Sequence, residues 1–349
     1  LRIAIILITT RPFHMPHNQK LFEYSYFRYP QNIANFASFE LSKYSEIPTW
    51  IHSYHTDMLK TLEHENEYLK KDTDPKQKTP FLLKDGRLVS REAGYVANRL
   101  RGFDNINFVN LGVAGFNDSL DLITPLLEKG KLAKYVMASQ SNMVNHQWID
   151  TAQRYASRYN TQLKTNCLEA NFDTQAYLSP LSTILPRDAH TTNLLFIGAS
   201  TFGNHINPTR VLKNIHDSMN SGDFLLISQA IYKPSSEGFW VGSFINFLTL
   251  ENHFGVEKEF AHNLSPDCPM EVVWEDEDYF RGIKFRVEIQ EPVSFGQVKL
   301  REKQKVDVFR GTRFSEAQLK TMALQLDFRI VQIIYGDTMD TALLFLQKN

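Results

Sequence analysis

A doubly wound α/β fold, with a parallel sheet held between helical layers, is what this 349-residue sequence predicts. Three observations carry the prediction. From residue 105 short apolar runs alternate with amphipathic segments at the spacing of strand–helix–strand units. Several of those runs, "INFVNLG" and "NLLFIGAS" among them, are apolar on both faces, as burial between two helical layers requires. The chain closes with a helix and then two strands joined by a polar loop, "RFSEAQLKTMALQLDF" and "RIVQIIYGDTMDTALLFLQ".

The elements follow in order. "LRIAIILITT" holds one Arg and a short apolar run with no small-x-small cleavage site behind it, so it reads as a strand or packed leader, with a targeting remnant as the alternative. Residues 18–45 are aromatic-rich and helical in pattern, and 55–71 are charged and helical, with Glu63, Glu67, Lys70 and Lys71 spaced for i,i+4 pairing. "KKDTDPKQKTP" is polar, carries two prolines and reads as an exposed loop or linker. "FLLKDGRLVS" reads as a hairpin turning at Asp85-Gly86. The alternation then runs strand to Gly112, helix to Gly130, strand "KYVMASQ", helix "NHQWIDTAQRYASRY", strand "TNCLEANF" and strand "NLLFIGAS". A helix begins behind Asn207-Pro208 and ends by Gly222, and strand "DFLLISQAI" follows. Residues 236–312 break the rhythm: "VGSFINFLTLENHFG" is helical in pattern, and the rest reads as antiparallel strands. "WEDEDYF" reads as a solvated hairpin loop, with a lid as the sharper alternative. Ser315 is placed to cap the last helix.

Composition narrows function by exclusion. Thirty-eight basic residues against 39 acidic ones argue against a polyanion-binding protein, so nucleic acid is not an expected partner. No apolar run reaches the roughly 18 residues of a membrane helix, so no membrane partner is expected either. Cys167 and Cys268 have no metal spacing and are too few for a disulfide scaffold, which suits a reducing cytoplasm. His14, His17, His52, His55 and His64 lack acidic or cysteine companions and read as surface residues, so no metal is expected. No G-x-S-x-G elbow is present, and no Cys–His pair stands out by local spacing.

In an open parallel sheet, ligands bind beyond the carboxyl ends of the strands, where strand order reverses. Four loops meet that rule: 112–118, 138–142, 170–173 and 198–205. "NLGVAGFND" carries Gly112 and Gly115, which let a ligand approach the backbone, although it is neither G-x-G-x-x-G nor a P-loop.

Two stretches carry a resemblance. Ala199-Ser200-Thr201-Phe202-Gly203-Asn204 is similar to a Gly-Ser-Thr-Ile-Gly-Asn run, and "LFEYSYFRYP" is similar to a Leu-Phe-Glu run followed by Tyr-Tyr-Pro. Both belong to the S-adenosylmethionine-dependent histidine-specific methyltransferases, which the chain resembles over most of 20–45 and 105–349. The helix and strand pair at the C-terminus are also the usual finish of the wider methyltransferase class. The resemblance implies a Rossmann-like methyltransferase sheet over 105–235, completed by 313–349. It implies a substrate-facing α+β region built from residues 1–104, with an insertion over 46–104, and from 236–312. By resemblance Asn204 and Tyr29 contact substrate; for Tyr29 a buried aromatic is the alternative. Gly112, Gly115, Ser139, Asn171 and Phe172 line the place of S-adenosylmethionine.

Departures from the family pattern are as informative. Asn110 replaces an acid ahead of the glycine loop, and Asp118 replaces a lysine six residues beyond Gly112. Ser139 stands where an aspartate grips both ribose hydroxyls, a task that suits a carboxylate because it accepts from two hydroxyls at once. Ala170-Asn171-Phe172 replaces Gly-Asp-Phe, leaving Asn171 to accept from an adenine amine and Phe172 to pack on the ring. In "VFRGTRFS", Phe309 and Gly311 take the places of the glutamate and serine that hold histidine, so free histidine is not the expected substrate. Arg310 and Arg313 read as solvent-facing, with recognition of an anionic group as the alternative. The expectation is a cytoplasmic S-adenosylmethionine-dependent N-methyltransferase acting on an amine of an amino acid or similar small metabolite. The alternative is a non-catalytic binding or scaffold protein on the same fold. A dinucleotide or nucleotide-sugar enzyme ranks last, because its fingerprint is missing.

Overall fold

The computed structural model describes residues 81–112, 116–139, 142–169, 172, 181, 184–185, 188–198, 201–205, 207–232, 271–277, 280–288, 292–295, 298–303, 305–337 and 340–349. The expected elements at 1–10, 18–45, 55–71, 70–80 and 241–255 lie outside them. The chain divides into two compact units, Lys78–Ser236 with Arg313–Asn349, and Leu1–Gln77 with Glu237–Thr312.

The first unit is built on a seven-stranded sheet. Its strands are β1 (Asn105–Leu111), β2 (Leu132–Ser139), β3 (Lys164–Glu169), β4 (Thr191–Ile197), β5 (Phe224–Ala230), β11 (Phe328–Tyr335) and β12 (Thr341–Lys348). They lie in the order β11-β12-β5-β4-β1-β2-β3. All neighbouring pairs are parallel except those made by β12, which runs against β5 and β11. The chain therefore winds outward from β1 in both directions, and strand order reverses between β1 and β4. This is the doubly wound α/β architecture expected from the alternation.

Each helix has a local cause. α1 (Phe81–Arg99) overturns the hairpin reading at Asp85-Gly86. Leu88, Val89, Ala93, Val96, Ala97 and Leu100 recur at helical spacing and are all buried, and that longer period outweighs one turn-forming dipeptide. Gly86 within the helix costs only about 1 kcal/mol relative to Ala. α2 (Phe116–Glu128) ends where Gly130 adopts φ +63°, and the Leu126 and Leu127 carbonyls accept from Lys131 and Gly130 in a Schellman closure. α3 (Asn142–Ser157) packs on β2 and β3. α4 (Pro208–Ser218) is capped by Asn207, whose side chain accepts from the Arg210 amide at 2.9 Å. α5 (Glu316–Gln325) starts at the expected Ser315 with a full capping box to Gln318.

One apolar cluster unites Val109, Leu111, Val136, Leu195, Ile197, Leu225, Ile227 and Leu344 of the sheet with Val211, Leu212 and Ile215 of α4 and Leu319 of α5. The opposite sides of the same strands carry Phe108 stacked on Tyr135 at 5.6 Å and Phe224 against Phe345 at 5.3 Å. The sheet is thus apolar on both faces, as its sequence runs indicated.

The second unit contributes a three-stranded antiparallel sheet in the order β10-β7-β6 and a hairpin of β8 (Val293–Phe295) and β9 (Val298–Leu300). β6 spans Glu271–Glu277, β7 Phe280–Glu288 and β10 Lys305–Thr312. The acidic stretch is not a loop throughout. Trp274 to Glu277 and Phe280 are strand residues, with Asp276 in register with Arg281. Consecutive backbone pairs in register with β7, from Glu271 to Glu277, hold these residues in the sheet. Among the described residues no helix is long and apolar enough to cross a membrane.

Candidate functional site

The first unit brings two loops together where strand order reverses. β1 ends at Leu111, and Gly112 follows at φ +90°, a conformation that residues with a Cβ rarely adopt. Its amide donates to the Ala138 carbonyl at 2.8 Å, which ties the turn to the end of β2. A Cβ added at Gly112 would meet the Thr201 methyl at 3.4 Å. Thr201 opens the 3₁₀ turn Thr201–Asn204 behind β4. The glycine turn and the family-like run therefore face each other across the reversal point, the place where doubly wound sheets bind ligands.

Side chains from β5 and beyond hold this turn rigidly. The Gly203 amide donates to Gln229 Oε1 at 3.1 Å, and Gln229 is fully buried on β5. Phe202 is fully buried with its ring 5.4 Å from that of Phe314. Phe314 in turn bridges Ile231 just past the end of β5. The Thr201 amide donates to the Gly198 carbonyl at 3.0 Å, while its buried hydroxyl has no hydrogen-bond partner among the described residues. Asn204 is the last residue of the turn, so its backbone lies beyond the carboxyl end of β4.

The ends of β2 and β3 are organised differently. Ser139, the last residue of β2, is 4% exposed and donates its hydroxyl proton to Asn145 Oδ1 at 2.6 Å. Asn145, fully buried on α3, donates to the Leu168 carbonyl at 3.0 Å and, at 3.4 Å, to that of Ser139. Beyond β3, Phe172 is 1% exposed inside the apolar cluster, and its ring meets that of His205 edge-on at 6.1 Å. Its carbonyl accepts from Asn214 of α4 at 2.8 Å. Motif scanning missed Asn145, which has no signature of its own. It acts by linking β2 to β3 across a long sequence gap.

The remaining candidates divide cleanly. Gly115, Asn171 and Tyr29 lie outside the described residues. Phe309, Arg310 and Gly311 lie on β10 of the other unit, in register with Phe285, Lys284 and Ile283. Arg313 does not face solvent as expected: it is 1% exposed, carried inward beside Phe314 where the chain rejoins the first unit. Asp118 is buried in the first turn of α2, where the helix dipole favours a negative charge. Asn110 is fully buried in β1 and donates to Met137 Sδ at 3.4 Å.

One pairing escaped local spacing. Cys167 Sγ of β3 lies 3.4 Å from His146 Nδ1 of α3. Burial, and secondarily the charge of Asp150, pushes the thiol up to about 11, so at neutral pH it is not the nucleophile of a Cys–His dyad. Among the described residues no group of three or more His, Cys, Asp or Glu side chains converges to hold a metal ion.

Compared by sequence, the chain matches no family model and no curated protein. Compared by structure, it is similar to an S-adenosylmethionine-dependent methyltransferase from Clostridium acetobutylicum, at 8% identity and a TM-score of 0.38, covering 83% of this chain and 98% of that one. It is similar to magnesium protoporphyrin IX methyltransferase from Synechocystis, solved with S-adenosylhomocysteine, at 11% identity and 0.41, covering 83% and 94%. A third is 1,6-didemethyltoxoflavin-N1-methyltransferase from Burkholderia thailandensis, at 11% and 0.40, covering 85% and 90%. With TM-scores this low, the fold class rests on the strand order of the chain's own sheet rather than on these superpositions.

Proposed function

We propose that this chain is an S-adenosylmethionine-dependent methyltransferase acting on an amine of a small metabolite other than free histidine. The observation that carries the reading is the meeting of Gly112 and Thr201 at the reversal point, on a sheet in which β12 alone runs against the other strands. The neighbours named as methyltransferases are consistent with it.

The fit of an adenosyl group differs between the two corners. At Gly112 the missing Cβ, which would lie 3.4 Å from the Thr201 methyl, lets the backbone come close to a ligand. At Ser139 the hydroxyl proton is already committed to Asn145, so no carboxylate grip on a ribose is present there. S-adenosylmethionine, when bound, supplies a methyl group already activated on a sulfonium. The work left to the chain is positioning, because a neutral amine held in line needs little acid–base help. Gly112 brings the backbone to the cofactor side. The Thr201–Asn204 turn, pinned by Gln229 and Phe202, orients the substrate side, with Asn204 as the proposed contact. Gly115, Asn171 and Tyr29 are proposed contacts on the resemblance alone, as are Phe309 and Gly311 on the side where histidine would otherwise be held. The two cysteines, without metal spacing and too few for a disulfide scaffold, support a cytoplasmic setting.

A second reading, a non-catalytic binding protein on the same fold, is favoured by one observation: Ser139 and Phe172 are turned inward rather than toward a ligand. Calorimetric titration with S-adenosylmethionine and S-adenosylhomocysteine, followed by a labelled-methyl screen over small amines, separates the two. Heat and transferred label support the enzyme. Heat without transfer to any amine favours the binding protein, and no heat at millimolar ligand rejects an adenosyl site.

A further inference from the structure

This inference rests on the adenosyl reading and sharpens its ligand. The corner at the ends of β2 and β3 is closed by its own side chains. The Ser139 hydroxyl donates to Asn145 Oδ1 at 2.6 Å, and the Asn145 amide donates to the carbonyls of Leu168 and Ser139 at 3.0 and 3.4 Å. The two carbonyls fix which end of the amide carries the protons, since a carbonyl can only accept. Both residues are buried, Ser139 at 4% and Asn145 at 0% exposure. A ribose diol presents two hydroxyl protons side by side. A carboxylate takes both at once on two charged oxygens, whereas Ser139 offers one neutral oxygen that is 4% exposed and turned toward Asn145.

We infer that this chain binds its nucleoside ligand without gripping the ribose diol at the end of β2, so that ligands with and without the 2′- and 3′-hydroxyls bind alike. The Ser139–Asn145 clamp makes Ser139 a specificity-determining position. It trades discrimination at the ribose for a rigid junction between β2, α3 and β3.

The test is calorimetric titration of the full chain with S-adenosylhomocysteine and with its 2′,3′-dideoxy counterpart, on the wild type and on Ser139→Asp. The expected wild-type result is that the two ligands agree within about threefold. In Ser139→Asp, S-adenosylhomocysteine should gain about tenfold or more over the dideoxy ligand, since bonds to a charged acceptor are the strong ones. A wild type that already prefers S-adenosylhomocysteine by about tenfold overturns the inference and leaves the adenosyl reading standing. No heat from either ligand overturns the adenosyl reading and the inference with it. If circular dichroism shows that Ser139→Asp does not fold, the wild-type pair of titrations decides alone.

Discussion

Two corners of one sheet edge behave in opposite ways. Between β1 and β4, Gly112 at φ +90° brings bare backbone up to the Thr201 methyl, and the Thr201 hydroxyl is left without a partner among the described residues. Between β2 and β3, Ser139, Asn145 and the Leu168 carbonyl satisfy one another, and Phe172 is sealed into the core. A buried polar group left unpaired costs stability, so a fold retains one where something else can use it. A closed network gains rigidity and gives up its hydrogen-bonding capacity toward ligands. The contrast supports the proposed ligand contact at the reversal point, with structural bracing beside it.

Substitutions at four positions and one titration probe that contrast. Phe202→Ala should have the largest effect, removing a fully buried ring stacked near Phe314 and lowering unfolding free energy by about 4 kcal/mol in urea denaturation. A loss under about 1 kcal/mol would mean that the turn behind β4 is not braced by that contact. Asn145→Ala should cost about 3 kcal/mol, because the Leu168 carbonyl and Ser139 hydroxyl are left buried without it. Denaturation of this variant within experimental error of wild type would dissolve the idea of a self-satisfied corner. Gly112→Ala should cost about 1–2 kcal/mol through its φ of +90° alone. Gly112→Val should in addition abolish heat on titration with S-adenosylhomocysteine, and undiminished binding would move the ligand elsewhere.

Thr201→Val is the smallest of the four and opposite in sign. Replacing a buried hydroxyl that has no partner among the described residues by a methyl should raise stability by up to about 1 kcal/mol. If it instead destabilises, the hydroxyl has a partner in solution and the two corners are less different than they look. Finally, Cys167 in a Cys268→Ser background should react slowly with iodoacetamide near pH 8, the rate still climbing toward pH 11. The thiol is raised in the folded chain, so its contribution to stability is full below the ordinary value of about 8.5 and is lost as pH rises toward about 11. Rapid alkylation at neutral pH would show that burial beside α3 is not protecting it.

Much of the fold is legible in the sequence. The strand–helix alternation, the Ser315 cap and the closing strand pair are all local or short-period signals, and each is present. The Asp85-Gly86 hairpin failed because a dipeptide signal was read ahead of an apolar period running from Leu88 to Leu100. Arg313 was misplaced because the polarity of one side chain says little about where rejoining chain segments will carry it.

Of the candidate site, the glycine at 112 could be read from residue type, because tight backbone approaches select small residues locally, while the run from Ala199 to Asn204 stood out only by its resemblance to a family motif. That Gly112 faces Thr201, that Ser139 is consumed by Asn145 and that Cys167 sits beside His146 are contacts between segments far apart in the chain. Local sequence encodes torsional preference and apolar period. Which polar group finds which partner is settled only when strands β1 to β5 take their order and the sheet brings their ends side by side.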